Sequence, residues 1–176
     1  MNEVGNKEIL KQRAKSLAQP LATQKNPADS LEVVEFLLSS EHYALESSHI
    51  REVYPLKDFT PLPCSPNFVL GIMNVRGEII SIINLKKFFD LPDTGITDLN
   101  KVIIIQGQGS EVGVLADKIV GIRTIDRQSL QPGLPTLTGI RSEYLKAVSE
   151  ERLVILEASK LLSDTKIGEK EAGRYK

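Results

Sequence analysis

From Lys7 to Leu21 the apolar residues Ile9, Leu10, Ala14, Leu17, Ala18 and Leu21 recur at steps of three and four, with Lys7, Lys11, Arg13 and Lys15 among the intervening positions. This spacing predicts a short amphipathic helix. Packing on the body of its own protein is the plain use of such a helix; docking on a partner or a membrane surface is the alternative. Pro20 falls near its end, and Thr23 to Ser30, with Pro27 inside, reads as a linker. Beyond the linker the pattern changes to short β-branched runs broken by turn residues: Val33 to Leu38, Ile79 to Ile83, Val102 to Ile105, Val112 to Ala116 and Ile119 to Ile125. These predict strands. Arg76-Gly77-Glu78 and Gln106-Gly107-Gln108-Gly109-Ser110 separate pairs of runs as hairpin loops, with glycine where the backbone turns through positive φ.

Many short strands with turn signals every ten or so residues predict an all-β protein whose antiparallel sheets close into barrels, because closure removes open edges. No helical segment of 10 to 15 residues recurs between the strands, which excludes a parallel α/β sheet. Helix is expected only in the N-terminal segment, in short pieces near His49 or Phe88, and in Glu157 to Leu162 after the strand-like Leu153 to Leu156. The expected division is an N-terminal helix and linker over 1–30, a folded domain over 31–163 and a charged, frayed tail over 164–176.

Composition narrows the function. With 176 residues, 41% of them hydrophobic, the chain can bury one substantial core or two small barrels sharing an interface. The formal net charge is −1, so no polyanionic partner is indicated. One cysteine, Cys64, cannot form an internal disulfide, which fits a reducing compartment. No apolar run approaches the roughly 18 residues needed to span a bilayer, and a cytoplasmic protein without direct membrane insertion is expected.

Catalytic chemistry is poorly represented. His42 and His49 are the two histidines, and neither Cys64 nor Glu41 and Glu46 completes a metal-ligand spacing with them. Cys64 lies in Pro61-Leu62-Pro63-Cys64-Ser65-Pro66 without an adjacent cation to activate a thiolate. Gly107-Gln108-Gly109 lacks the third glycine and the helix start of a dinucleotide site. Aromatics at 5%, with no Trp, are too few for a base-stacking platform, and Phe36, Phe59, Phe68, Phe88 and Phe89 sit mostly inside apolar runs. No enzyme, cofactor, metal site or nucleic-acid interface is expected; a nucleic-acid-binding barrel is the weaker alternative.

Glu52-Val53, Pro61-Leu62-Pro63, Gly71-Ile72-Met73-Asn74-Val75-Arg76-Gly77 and Ile79-Ile80-Ser81-Ile82-Ile83-Asn84-Leu85 stand in an order and spacing that resembles the CheW-like chemotaxis coupling family. Val112-Gly113-Val114-Leu115-Ala116-Asp117, Ile119-Val120-Gly121-Ile122, Leu137-Thr138-Gly139-Ile140 and Leu153-Val154-Ile155-Leu156 continue the match, which runs from about Leu31 to Leu162. Ser81 and Asn84 stand where the family most often has proline and aspartate, and Lys86 where arginine is common. The resemblance implies two five-stranded SH3-like barrels packed through an apolar interface. It also implies a non-catalytic adaptor, with a groove for the cytoplasmic tip of a methyl-accepting chemoreceptor and other surfaces for the regulatory domain of a CheA-type histidine kinase. A coupler for a non-flagellar chemosensory pathway is the alternative within the family.

On that resemblance the receptor-binding candidates are Arg76, Glu52, Val53, Ile50 and Val75. Arg76 follows an apolar strand at a tight turn; its guanidinium either reaches the receptor tip, or bonds internally to fix the turn or tether the barrels. Glu52 either lines the groove or is a solvated carboxylate. Ile50, Val53, Ile72 and Val75 line the groove or fill the core, since alternation does not say which side of the wall each occupies. Val102, Ile104, Gly113 and Val114 are the kinase-binding candidates. Gly71, Gly77, Gly113 and Gly139 serve backbone geometry first and close approach of a partner second.

Overall fold

The computed structural model describes residues 29–93, 95–132 and 140–164. The expected helix at Lys7 to Leu21, the charged tail, and Leu137, Thr138 and Gly139 lie outside the described residues. The elements in chain order are β1 (Ser30–Leu38), β2 (Glu41–Glu46), β3 (Ile50–Pro55), β4 (Phe59–Thr60), β5 (Val69–Val75), β6 (Glu78–Ile83), α1 (Leu85–Phe88), β7 (Lys101–Gly107), β8 (Ser110–Ala116), β9 (Lys118–Asp126), α2 (Ile140–Glu143), β10 (Leu145–Val148), β11 (Val154–Leu156) and α3 (Ala158–Ser163). Single 3-10 turns follow β2 and β9. Helix among the described residues is thus confined to short pieces, including those expected near His49, near Phe88 and after Leu156.

The strands form two sheets, β10-β11-β2-β1-β9 and β3-β7-β8-β6-β5-β4. This corrects the expectation of two closed, antiparallel, five-stranded barrels. Among the described residues neither strand order closes on itself, one sheet has six strands, and β11–β2 and β6–β8 pair in parallel. The parallel pairs follow from the path of the chain, which leaves the first sheet at Ser47–His49 and returns to it at Asp117, so each sheet brings together strands remote in sequence. Closure is approached at both places. Gln131, just past β9, forms an antiparallel bridge with Val148 of β10, and only residues 56–58 separate the edge strands β3 and β4.

Three apolar clusters account for the sequence pattern. The largest lies between the sheets, joining Phe36, Leu38, Tyr43 and Leu45 to Ile83, Ile103, Ile105, Val112 and Val114, with Phe88 and Phe89 at the end of α1 and Leu161 and Leu162 of α3. A second fills the far side of the five-stranded sheet with Leu31, Val33, Ala44, Ile125, Ala147, Leu153 and Ile155. The third holds Met73, Val75, Ile80, Ile82, Val102, Ile104 and Leu115 on the far side of the six-stranded sheet. β7 is therefore buried on both faces, which is why it reads Val-Ile-Ile-Ile rather than alternating. Each such side chain contributes about 1.5–3 kcal/mol of burial. Phe88 meets Phe68 and Tyr144 edge-on, at centroid distances of 4.9 and 5.1 Å, a favoured aromatic geometry.

Candidate interaction site

β3 is an edge strand, and five of its six residues are half-buried while Val53 is exposed. Beside it the β5–β6 hairpin turns in two residues between the paired Val75 and Glu78. Arg76 and Gly77 both have positive φ, 53° and 92°, the combination that matches the twist of a two-residue hairpin. Gly77 adopts it freely, and Asn74 Oδ1 accepts the Gly77 N–H at 2.9 Å. Arg76 holds it as a non-glycine residue, which costs about 1–3 kcal/mol and fixes where its side chain leaves the turn.

That side chain is 71% exposed, and its Nη2 lies 3.1 Å from Oε2 of Glu52, itself 18% exposed. Around the pair runs a belt of charge. Arg51 Nη1 donates to both oxygens of Glu111 at 3.0 and 2.8 Å, contacts Glu78, and its Nε lies 3.5 Å from Glu52. Hydrogen bonds to Glu78 and Glu111 raise Arg51 above the ordinary guanidinium range, so it stays charged. The structure brings Glu52, Val53 and Arg76 to one edge, with Ile50 half-buried against the core between the sheets.

Arg76 does make an internal bond, but it does not tether the sheets, because β3 and the β5–β6 turn belong to the same sheet. The link between sheets is elsewhere. Lys86 of α1 is fully buried, and its Nζ reaches Asp117 at 2.7 Å and Asp93 at 3.0 Å. Asp117 also accepts the Ser39 backbone N–H, from the β1–β2 turn of the other sheet, at 2.7 Å, and Asn100 Nδ2 at 3.1 Å. Burial opposes the charge on Lys86, but the hydrogen bonds to Asp117 and Asp93 outweigh it and hold the ammonium above the usual lysine range. Asn84 keeps a place in this network, capping α1 through the Lys86 N–H at 3.0 Å and donating to Asp93 at 3.3 Å.

Other candidates are covered by the protein's own side chains. Val75, Val102, Ile104 and Val114 are fully buried. Gly113 is buried too, and a Cβ there would come within 2.6 Å of Val102. Four of these five residues line the six-stranded sheet's far-side cluster or press on it, and Val114 faces the core between the sheets. Reading the sequence alone missed Arg51, Glu78 and Glu111, which meet only across three strands, and the exposed Ile79, Val120 and Ile122. The apolar member of an alternating run looks the same whether it faces a core or a surface.

His42 Nδ1 lies 2.6 Å from Glu35, a buried carboxylate also paired with Arg123. Among the described residues no three His, Cys, Asp or Glu side chains are grouped to hold a metal, and no helix is long and apolar enough to cross a membrane. The site's assets are shape, a charged edge and apolar neighbours, which suit binding to another protein.

Comparison with known proteins agrees. Residues 32–166 match the model of the CheW-like domain. The chain is 31% identical over 146 residues to the chemotaxis protein CheW of Treponema pallidum, covering 79% of this chain and 86% of that one. It is 28% identical over 149 residues to CheW of Thermotoga maritima, covering 82% and 98%. The crystal structure of a scaffolding CheW protein from Thermoanaerobacter tengcongensis superposes with a TM-score of 0.66 at 29% identity, over 72% of this chain and 88% of that one. With the fold, the two-sheet topology and the sequence in agreement, the chain belongs to the CheW-like domain family.

Proposed function

We propose that this protein is a non-catalytic chemotaxis adaptor that couples chemoreceptors to a CheA-type histidine kinase in the cytoplasm. The observation that carries the reading furthest is the Glu52–Arg76 pair on an exposed sheet edge, in a chain whose relatives are named chemotaxis and scaffolding proteins. The receptor's cytoplasmic tip docks along Ile50, Glu52, Val53 and Arg76, with Val75 supporting that wall from within. The kinase's regulatory domain docks on a separate surface whose shape is set by Val102, Ile104, Gly113 and Val114 from beneath. Holding two partners at fixed geometry lets a receptor shift bias the kinase through differential contacts.

Residues 31–163 form the coupling domain in this reading, with 1–30 and 164–176 as accessory segments. Each sheet curls toward a small SH3-like barrel, a reading supported by the Gln131–Val148 bridge and the short β3–β4 link. The test is a pull-down from native cytosol with the tagged full chain. Recovery of both a histidine kinase and a chemoreceptor is expected; recovery of neither overturns the reading.

A further inference from the structure

Leu31 and Val33 of β1 enter the cluster on the far side of the five-stranded sheet, whereas Phe36 and Leu38 enter the core between the sheets. Alternate residues of a strand share a face, so Glu32 and Val34 lie on the side that looks toward the six-stranded sheet. Their partners on β9 lie there too, Ile122 paired with Val34 and Thr124 with Glu32. Val120, the residue left over by the register shift between Glu35 and Phe36, stands beside them. Val34 is buried, but Val120 and Ile122 are 49% and 69% exposed, so the six-stranded sheet does not extend over this stretch. The result is an apolar face about 13 Å long from Val120 to Thr124. It is continuous with the core between the sheets through Ile119.

A segment of matching pattern enters the same sheet. Lys7 to Leu21 lies outside the described residues, and its sequence sets Leu10, Ala14, Leu17 and Leu21 at steps of four, three and four. On a helix these form one stripe about 16 Å long. An isolated helix of this length is marginal in water, so it forms where its stripe is covered. The tether is short. β1 begins at Ser30, which pairs with Asp126, and Val34 lies about 13 Å further along the strand. Residues 22–29 span up to about 27 Å, enough to bring Leu21 onto the face. Glu32 is exposed on that face, and the helix carries Lys7 and Arg13 along the borders of its stripe, so the charges are complementary. We propose that Lys7 to Leu21 seats its apolar stripe, as a helix, on Val34, Val120 and Ile122 of its own chain. A tethered segment is present at an effective concentration of about millimolar, which favours it over a separate partner of similar pattern. This contact is independent of the adaptor reading, and its test needs neither receptor nor kinase.

The experiment uses the full chain with Cys64→Ser, which removes the exposed native thiol. Under mild oxidation Leu17→Cys with Ile122→Cys should close a disulfide within the monomer many times faster than Lys15→Cys with Ile122→Cys. Lys15 and Leu17, two positions apart, lie on opposite sides of a helix. Both pairs share one tether, so the ratio of rates reads the seating rather than the proximity. In circular dichroism Ile122→Asp should lower the helical signal of the full chain. Leu17→Gln, a change of little cost to helix propensity, should lower it equally while leaving β9 untouched. Equal closure rates of the two cysteine pairs, or a helical signal that neither substitution changes, overturns the proposal. So does a disulfide that forms mainly between two chains, since the face then takes a second copy.

Discussion

The Arg76 guanidinium lies 3.1 Å from the Glu52 carboxylate, across the gap between the β5–β6 turn and the edge strand β3. A side chain 71% exposed, held by one ion pair on a turn of fixed geometry, is well placed to exchange its partner for another. Exposed pairs of this kind contribute about 0–1 kcal/mol to stability.

Arg76→Ala is therefore expected to leave the melting temperature nearly unchanged while weakening receptor binding by about 1.5–3 kcal/mol, the loss of a charge-assisted hydrogen bond. Kinase binding should hold. Arg76→Lys restores only part of the affinity, because an ammonium lacks the guanidinium fork. Arg76→Gly relieves the positive φ, so it should melt higher than the alanine variant and bind receptor equally poorly. Equal loss of both affinities with a lowered melting temperature would make Arg76 purely structural.

Ile104 and Val53 face opposite fates on neighbouring strands. Ile104→Ala opens a cavity beneath the six-stranded sheet and should cost about 2–5 kcal/mol of stability, read by urea unfolding. Its effect on either partner should follow the fraction unfolded. Val53, 40% exposed, should change stability by less than about 0.5 kcal/mol as Val53→Ser while weakening the receptor alone.

Lys86→Met removes the buried cation shared by Asp93 and Asp117. Both carboxylates keep some water, so the cost should fall near the low end of a broken buried pair, about 3 kcal/mol. The pH dependence follows from the directions of shift. Burial raises the Asp93 pKa, but the Lys86 ammonium and the Gly95 N–H outweigh it and hold the group below its ordinary range. Its stabilisation is present above the unfolded pKa and lost as pH falls through the folded one. Lys86 is shifted upward, so its stabilisation is full below the unfolded lysine pKa and lost as pH rises through the folded value. The gap in melting temperature between wild type and Lys86→Met should be constant near neutrality and narrow at both extremes. A gap independent of pH from strong acid to strong base would contradict this.

Chelation offers a plainer check. No metal-ligand group occurs among the described residues, so dialysis against a strong chelator should leave the melting temperature where it was. A drop on dialysis, reversed by a divalent ion, would reveal a site that the described residues do not form.

Much of the fold was legible because strand periodicity is local. The runs at Val33, Ile79, Val102, Val112 and Ile119 all became strands, and glycine marked the two-residue turns at Arg76-Gly77 and Gln108-Gly109, though not the third, Ser39-Ser40. The order of strands was not legible. Pairing β11 beside β2 joins residues more than a hundred positions apart, and nothing local encodes it. The same limit hid the pairing of Lys86, whose partner Asp117 also binds Ser39, 78 residues earlier in the chain. Arg76 and Glu52 could be named together because the family motif carries both; their being bonded within one sheet required coordinates. That Val102, Ile104 and Val114 are buried was not legible either, because a strand covered on both faces offers no alternation to separate inside from outside.

The coupling function is tested most directly by reconstitution. Receptor in membranes and purified kinase are mixed with and without the full chain, and kinase autophosphorylation is followed over time. The account predicts that the chain alone transfers no phosphate, that adding it raises receptor-dependent kinase activity severalfold, and that a receptor ligand then controls that activity. Kinase activity that is the same with and without the chain, under conditions where receptor and kinase are each functional, would contradict it.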